Sequence, residues 1–279
     1  MKAREILYGL GLQPPLREYS FDIERIHLAK DGDVDIALWR HPSAAKRQRR
    51  GRGFRLTQAA VDALRLFLRP GDFAIDIGAH TGDSTLPIAL AVGKTGTVLA
   101  LEPNIHAFKI LLANAALNWS KTNIIPLNVA ATPEDREYEF EYSDAGFCNG
   151  GYHVGVSAWR HAHFFKLRVT GRNLPRLLAS DLPQESRRIR YIKMDTEGFD
   201  RAVAASLRDI LARQRPFLKT EFYKHSPEDE RKGYYRELRD LGYALYRIGS
   251  DDEDYRSLPL AEHEVMNWSH FDVFAAPQQ

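Results

Sequence analysis

At 279 residues, with 44% hydrophobic and 27% charged side chains, the chain has the composition of an ordinary globular protein, large enough to bury a core without disulfides or structural metals. Its single cysteine, Cys148, excludes an intrachain disulfide and a cysteine-based zinc cluster, and a net charge of +2 gives no global attraction to nucleic acid. The first residues lack the apolar stretch of a signal peptide, and no apolar run approaches the ~20 residues of a membrane helix, so a cytoplasmic protein without a membrane partner is expected.

The first 56 residues form an extension distinct in texture from the rest. Phe21–Leu28 and Val34–Trp39 alternate apolar with polar residues around the turn signal Lys30-Asp31-Gly32-Asp33, which predicts a β-hairpin. The run Lys46–Arg52 holds five basic residues in seven and reads as a solvated loop in preference to a phosphate-binding patch. An amphipathic helix is expected from near Thr57, with Val61, Leu64, Phe67 and Leu68 on one face, stopped at Arg69-Pro70-Gly71-Asp72.

From residue 57 to the end a single domain is expected, in which strands alternate with helices. Strands are predicted at Phe73–Ile77, Thr97–Leu101, Asn123–Leu127, Tyr191–Met194, Phe217–Phe222, Tyr243–Ile248 and Phe271–Ala275. The intervening helices cover Asp83–Val92, Pro103 to about Trp119, roughly 199–213, and Asp229–Leu241. Such alternation predicts an α/β fold with a mostly parallel sheet covered on both faces. Residues 132–189 interrupt it as an insertion on the ligand side of the sheet. Within it, Glu137–Tyr142 alternates like an exposed strand, Ala145–Tyr152 is glycine-rich, and Phe164–Val169 reads as a further strand.

Open α/β sheets bind ligands beyond the carboxyl ends of their strands. The first strand there runs into Asp76-Ile77-Gly78-Ala79-His80-Thr81-Gly82, whose glycines allow a sharp turn and a close ligand, and the second ends in Glu102-Pro103-Asn104. Glu102 suits two ribose hydroxyls, so loop and acid together predict a nucleoside site. The loop has two glycines, not three, and is led by Asp76. A carboxylate there opposes a pyrophosphate but suits the ammonium of a methionine moiety. S-adenosylmethionine is therefore expected in preference to a nicotinamide cofactor, with Asn128 and Ala130 at the end of the third strand beside the adenine. The competing readings are a nicotinamide-dependent oxidoreductase and an RNA-binding module using the basic loop.

The fourth and fifth strands end in Lys193-Met194-Asp195-Thr196-Glu197-Gly198 and Lys219-Thr220-Glu221. Asp195, Glu197 and Glu221 are the candidate catalytic acids, suited to orienting or deprotonating a hydroxyl. Asp195 and Glu221 make the expected pair for a divalent cation such as Mg²⁺, since hard cations take oxygen ligands. His153, His161 and His163 rank below them as bases. The sequence has no Asp/Asn-Pro-Pro-Tyr/Phe segment for amino-nitrogen methylation of a flipped base and no proline before Cys148. A small-molecule or glycan hydroxyl remains as the acceptor, with a homo-oligomer compatible with the chain and nucleic acid not favoured as a partner.

In Asp76–Gly82, Glu102-Pro103, Asn128-Val129-Ala130 and Ile192–Gly198 the chain resembles FkbM-family methyltransferases, over about residues 70–275. The most specific part is Ile-Lys-x-Asp-x-Glu-Gly at 192–198, followed by Pro-x-x-x-x-Glu at 216–221. The resemblance implies a class I methyltransferase fold, Rossmann-like, with seven strands, and O-methylation of sugars, polyketides or other secondary metabolites. It implies that Asp76, Gly78, Glu102 and Asn128 line the cofactor while Asp195, Glu197 and Glu221 face the acceptor. Gly171-Arg172-Asn173-Leu174 departs from the family's usual Thr-Leu-Asp, and residues before about 55 match no family feature.

Overall fold

The computed structural model describes residues 6–7, 10–12, 20–40, 56–142, 150–151, 165–224 and 226–278. Strands β1 (Ser20–Leu28) and β2 (Gly32–Arg40) form the predicted antiparallel hairpin. Thr57 caps α1 (Gln58–Arg65) by accepting from the Ala60 N–H. Then follow β3 (Phe73–Ile77), α2 (Thr85–Val92), β4 (Thr97–Leu101), α3 (Ile105–Leu117) and β5 (Ile124–Leu127). Asn104 caps α3, so Pro103 lies just outside the helix and not in its first turn.

The insertion has a small sheet of its own, in the order β6 (Ala130–Ala131), β9 (Phe165–Arg172), β7 (Arg136–Tyr142), β8 (Gly150–Gly151). Alternation along β7 sends Tyr138, Phe140 and Tyr142 inward against Phe165 and Val169, because successive strand side chains face opposite ways. A helix not read from the sequence, α4 (Leu174–Asp181), follows, capped by Asn173 with Pro175 in its first turn.

The remaining elements are β10 (Ile189–Met194), α5 (Asp200–Ser206), α6 (Arg208–Gln214), β11 (Phe217–Phe222), α7 (Glu228–Asp240), β12 (Tyr243–Arg247) and β13 (Phe271–Pro277). The helix expected over 199–213 is two helices meeting at Leu207, whose side chain is fully buried. No glycine or proline marks this break.

The main sheet has seven strands in the order β12-β13-β11-β10-β3-β4-β5, and all pairings among β11, β10, β3, β4 and β5 are parallel. Only β13 runs antiparallel to its two neighbours. Two apolar layers cover the sheet. One packs α4 to α7 against Phe73, Ile75, Ile77, Ile192 and Leu218. The other joins α1, α2 and the hairpin's Leu28, Val34 and Ile36 to Tyr191 and Phe274. The N-terminal extension and the sheet thus share a core. No helix of the described residues is long and apolar enough to cross a membrane.

Candidate active site

The order of strands places the carboxyl ends of β3, β4 and β10 side by side. After Ile77 the chain turns through Gly78, His80 and Gly82, all at positive φ (76°, 47° and 95°). The Gly78 and Ala79 N–H groups both donate to the Leu101 carbonyl, tying the turn to β4. Gly78 is fixed by a second constraint. A Cβ built on it lies 2.0 Å from the Asp195 carbonyl oxygen, so only glycine lets the two loops meet. The Asp195 N–H donates to the Ile77 carbonyl at 3.1 Å, and Lys193 Nζ to the Gly78 carbonyl at 2.9 Å.

These loops open on a cavity of 1040 Å³. One end is bounded by Glu102, Pro103, Asn104, Val129 and Ala130. Glu102 is buried, and each of its oxygens accepts one backbone N–H at 2.7 Å, from His80 and from Asn104. Burial pushes its carboxyl up to about 7, against the pull of those two donors. An ionised carboxylate accepts about four hydrogen bonds, so two positions remain for a vicinal diol. On that donor set the residues fit an adenosine.

Gly78, Thr81, Glu102, Pro103, Asn104 and Ala130 of the predicted cofactor residues line this cavity; Asp76, Ala79, Gly82 and Asn128 do not. Asp76 is fully buried, accepts from Ser84 Oγ and Thr85 Oγ1 at 2.7 Å, and lies 3.3 Å from Lys193 Nζ. It holds the start of α2 and a buried lysine, and its side chain does not line the cavity. Asn128 Nδ2 donates to the Glu102 and Pro103 carbonyls at 2.8 and 3.0 Å. It ties the end of β5 to the chain after β4.

The other end of the cavity is acidic. Asp195, half-exposed, and Glu197 line it. Glu197 sits at φ 55° ahead of Gly198 at φ 102°, a left-handed backbone that costs a side chain-bearing residue ~1–3 kcal/mol and concentrates at functional sites. Burial, then the Asp195 charge, push its carboxyl up to about 7. Beneath them, Asp200 accepts from Thr196 N–H, Thr220 Oγ1 and Glu221 N–H at 3.0, 3.0 and 3.1 Å, which pins the acid loop to β11.

Glu221 belongs to a different space. It is buried beside a 20 Å³ pocket with Asp200 and Arg231. Burial, then Asp195, Asp200, Glu197 and Asp272, push it up to about 10. Its Oε1 lies 3.0 Å from His270 Nδ1. Its Oε2 has no partner. Asp195 lines the large cavity and Glu221 the small pocket, and the described residues contain no group of three or more His, Cys, Asp or Glu fit to hold a metal.

The structure adds wall residues that sequence reasoning missed. Lys193 is buried, Lys219 is largely so with a side chain 12% exposed, and the two lie in register on β10 and β11. Lys219 Nζ pairs with Asp251 at 2.7 Å and Asp272 at 3.0 Å. Burial works against both ammonium charges, yet the carboxylates hold each lysine above its ordinary value. Asp22, Glu24 and Trp39 reach the cavity from the hairpin, and Phe140 and Tyr142 from the insertion. The period-two pattern of β1 and β7 was the available signal for the latter two groups. His153, His161, His163, Cys148 and the run Lys46–Arg52 lie outside the described residues.

A seven-stranded sheet with one antiparallel strand, a glycine turn after β3 beside the central strand β10, and an acid at the end of β4 define a Rossmann-like nucleoside-binding fold of the class I methyltransferase type. The profile of the Methyltransferase FkbM domain matches residues 76–248, more than half of the chain, and the chain belongs to that S-adenosylmethionine-dependent family. Family membership replaces the nicotinamide reading. Comparison with curated protein sequences gives no significant match. Among solved structures, the FkbM methyltransferase of Methylobacillus flagellatus aligns at 13% identity and a TM-score of 0.41, over 75% of this chain and 44% of that one. A precorrin-6y C5,15-methyltransferase of Geobacter metallireducens aligns at 12% identity and 0.43, over 81% and 92%. An S-adenosylmethionine-dependent O-methyltransferase of Thermotoga maritima aligns at 12% and 0.40, over 92% and 78%. The family assignment rests on the profile match alone.

Proposed function

We propose that this protein transfers a methyl group from S-adenosylmethionine to a hydroxyl of a small molecule or sugar. The observation that carries the reading is one cavity with two unlike ends, a diol-accepting Glu102 at one and an uncommitted carboxylate, Glu197, at the other. Bound S-adenosylmethionine supplies an electrophilic methyl on a sulfonium. The chain's own residues do the rest. Glu102 holds the ribose hydroxyls, and Val129 and Ala130 border the adenine. The loop Gly78–Gly82 brings the backbone close to the methionine end.

Glu197 acts as the general base, taking the proton of the acceptor hydroxyl as its oxygen forms the new bond to carbon. A carboxyl near 7 is well matched to that task at neutral pH, because it is both substantially ionised and basic enough to accept the proton. Asp195 keeps the proton's destination basic through its charge, and Lys193 holds Asp195 in place at 3.6 Å. Glu221, protonated until about pH 10, is a neighbour of this base and not a second one. Acceptor choice falls to the hairpin and to Asp251 and Tyr255, which line the cavity from outside the family-matched segment.

Titration calorimetry with S-adenosylhomocysteine on the wild type and Glu102→Ala tests the cofactor end. Micromolar binding that weakens roughly 10- to 100-fold in the variant is expected, the usual cost of losing hydrogen bonds to a charged group. Absence of binding to the wild type removes the reading. A panel of hydroxylated metabolites with methyl-labelled cofactor, run with Mg²⁺ and with chelator, then identifies the acceptor class. Label appearing on nitrogen or carbon and never on oxygen overturns the O-methyl assignment.

A further inference from the structure

The hairpin walls the cavity but pairs with no strand of the seven-stranded sheet. Two side-chain amides on α3 and its C-cap bind the backbone of β2. Asn118 Nδ2 donates to the Asp35 carbonyl at 2.7 Å while its Oδ1 accepts from the Asp35 N–H at 3.3 Å. Asn114 repeats the arrangement on Ala37, at 3.1 and 2.7 Å. The spacing explains the fit. Four residues along a helix advance ~6 Å, and two residues along a strand ~6.6–6.8 Å. The two amides therefore serve one edge of β2 as a neighbouring strand would. Both asparagines are buried.

Asn118 Nδ2 also donates to the Asn114 carbonyl at 3.2 Å, within its own helix, but only Asn114 reaches beyond the hairpin and helix. Its Nδ2 donates as well to the Thr81 carbonyl at 2.7 Å, inside the loop that turns from β3 to α2. One NH₂ group, with both its hydrogens used, thus joins the hairpin wall to that loop. The approach is close, since a Cβ on Gly82 would lie 3.6 Å from the Asn114 Cβ. Resting on the assignment of the Gly78–Gly82 loop as the cofactor seat, we propose that Asn114 is a positioning residue for the cofactor. It sets the loop against the hairpin, whereas Asn118 anchors the hairpin alone.

The two asparagines make a matched pair for the test. Asn114→Ala and Asn118→Ala are compared by calorimetry with S-adenosylhomocysteine and by hydrogen exchange of the ligand-free full chain. Both variants speed exchange in β2. Only Asn114→Ala speeds exchange in residues 78–84, and only it weakens S-adenosylhomocysteine binding by about tenfold or more, Asn118→Ala staying within about twofold. Equal weakening by both variants, or wild-type exchange of the loop in Asn114→Ala, overturns the proposal. Should Asn114→Ala fail to fold, Asn114→Asp keeps an acceptor for the Ala37 N–H and removes both donors, and must show the same loop-specific exchange. A wild type that binds no S-adenosylhomocysteine defeats the cofactor assignment, and the exchange comparison still decides whether Asn114 governs the loop.

Discussion

The two ends of the cavity use carboxylates in opposite ways. At the adenosine end, Glu102 has a backbone N–H donor on each oxygen, and behind the cavity wall the buried Asp76 takes two hydroxyls on Oδ2 and lies 3.3 Å from Lys193 Nζ. At the acidic end, Glu197 and Glu221 crowd with Asp195 and Asp200 and receive few donors, so burial and mutual repulsion push them up to about 7 and about 10. A satisfied carboxylate is a fixture that shapes a binding site. Burial brings Glu102 to about 7 as well, so what sets Glu197 apart is the lack of donors committed to its oxygens, not the value itself.

The largest effect is expected where the two ends touch. Gly78→Ala places a methyl against the Asp195 carbonyl oxygen and forces a side chain-bearing residue to φ 76°, a backbone conformation that alone costs ~1–3 kcal/mol. Denaturant unfolding is expected to show a loss at least that large, and calorimetry a loss of S-adenosylhomocysteine binding. A variant that keeps wild-type affinity breaks the picture of interlocked loops.

A smaller effect, confined to chemistry, is expected at the acidic end. Glu197→Gln is expected to lower turnover by ~10²–10⁴-fold with cofactor affinity nearly unchanged. The wild-type rate is expected to rise with pH through about 7, as Glu197 loses its proton, and to level above it. Initial-rate profiles from pH 5.5 to 9 in the two proteins check this, and a rising limb that persists in Glu197→Gln assigns it to another group.

The smallest effect on activity, and a stabilising one, is expected at Glu221. Its carboxyl is raised from 4.5 to about 10, so the folded chain holds a proton that the unfolded chain releases above about 4.5. That contribution is fully present at acid pH and is lost as pH rises towards 10. Glu221→Gln, neutral at every pH, is expected to raise Tm by several degrees at pH 8, with the gain vanishing at pH 4.5. Melting curves at both values decide, and an unchanged Tm at pH 8 places Glu221 in a better-solvated setting than its burial implies.

Much of this was legible in the sequence. The hairpin, α1, every strand of the main sheet and the turn after β3 follow from alternation, apolar runs and glycine placement, because local geometry dictates those patterns. The family segment at 192–198 located the acid loop. Side-chain direction at strand ends was not legible. Asp76 and Asn128 sit at positions that suggest a ligand, but their hydrogen-bond partners, Thr85 and the Pro103 carbonyl, become neighbours only when the chain folds. The Lys219–Asp251–Asp272 group joins residues from β11, the loop after β12 and β13, a proximity that no spacing encodes. Helix α4 carried its Asn-x-Pro start in plain view, hidden by the expectation of a continuous insertion.

The grip of Asn114 and Asn118 falls on the backbone of Ala37 and Asp35, never on their side chains. An anchor of that kind is indifferent to which residues the strand carries. Mutation at cavity-facing positions of the hairpin, such as Glu24, therefore leaves these two backbone anchors untouched. The wall facing the acceptor is thereby an evolvable surface, able to drift towards new substrates while the cofactor end stays as it is.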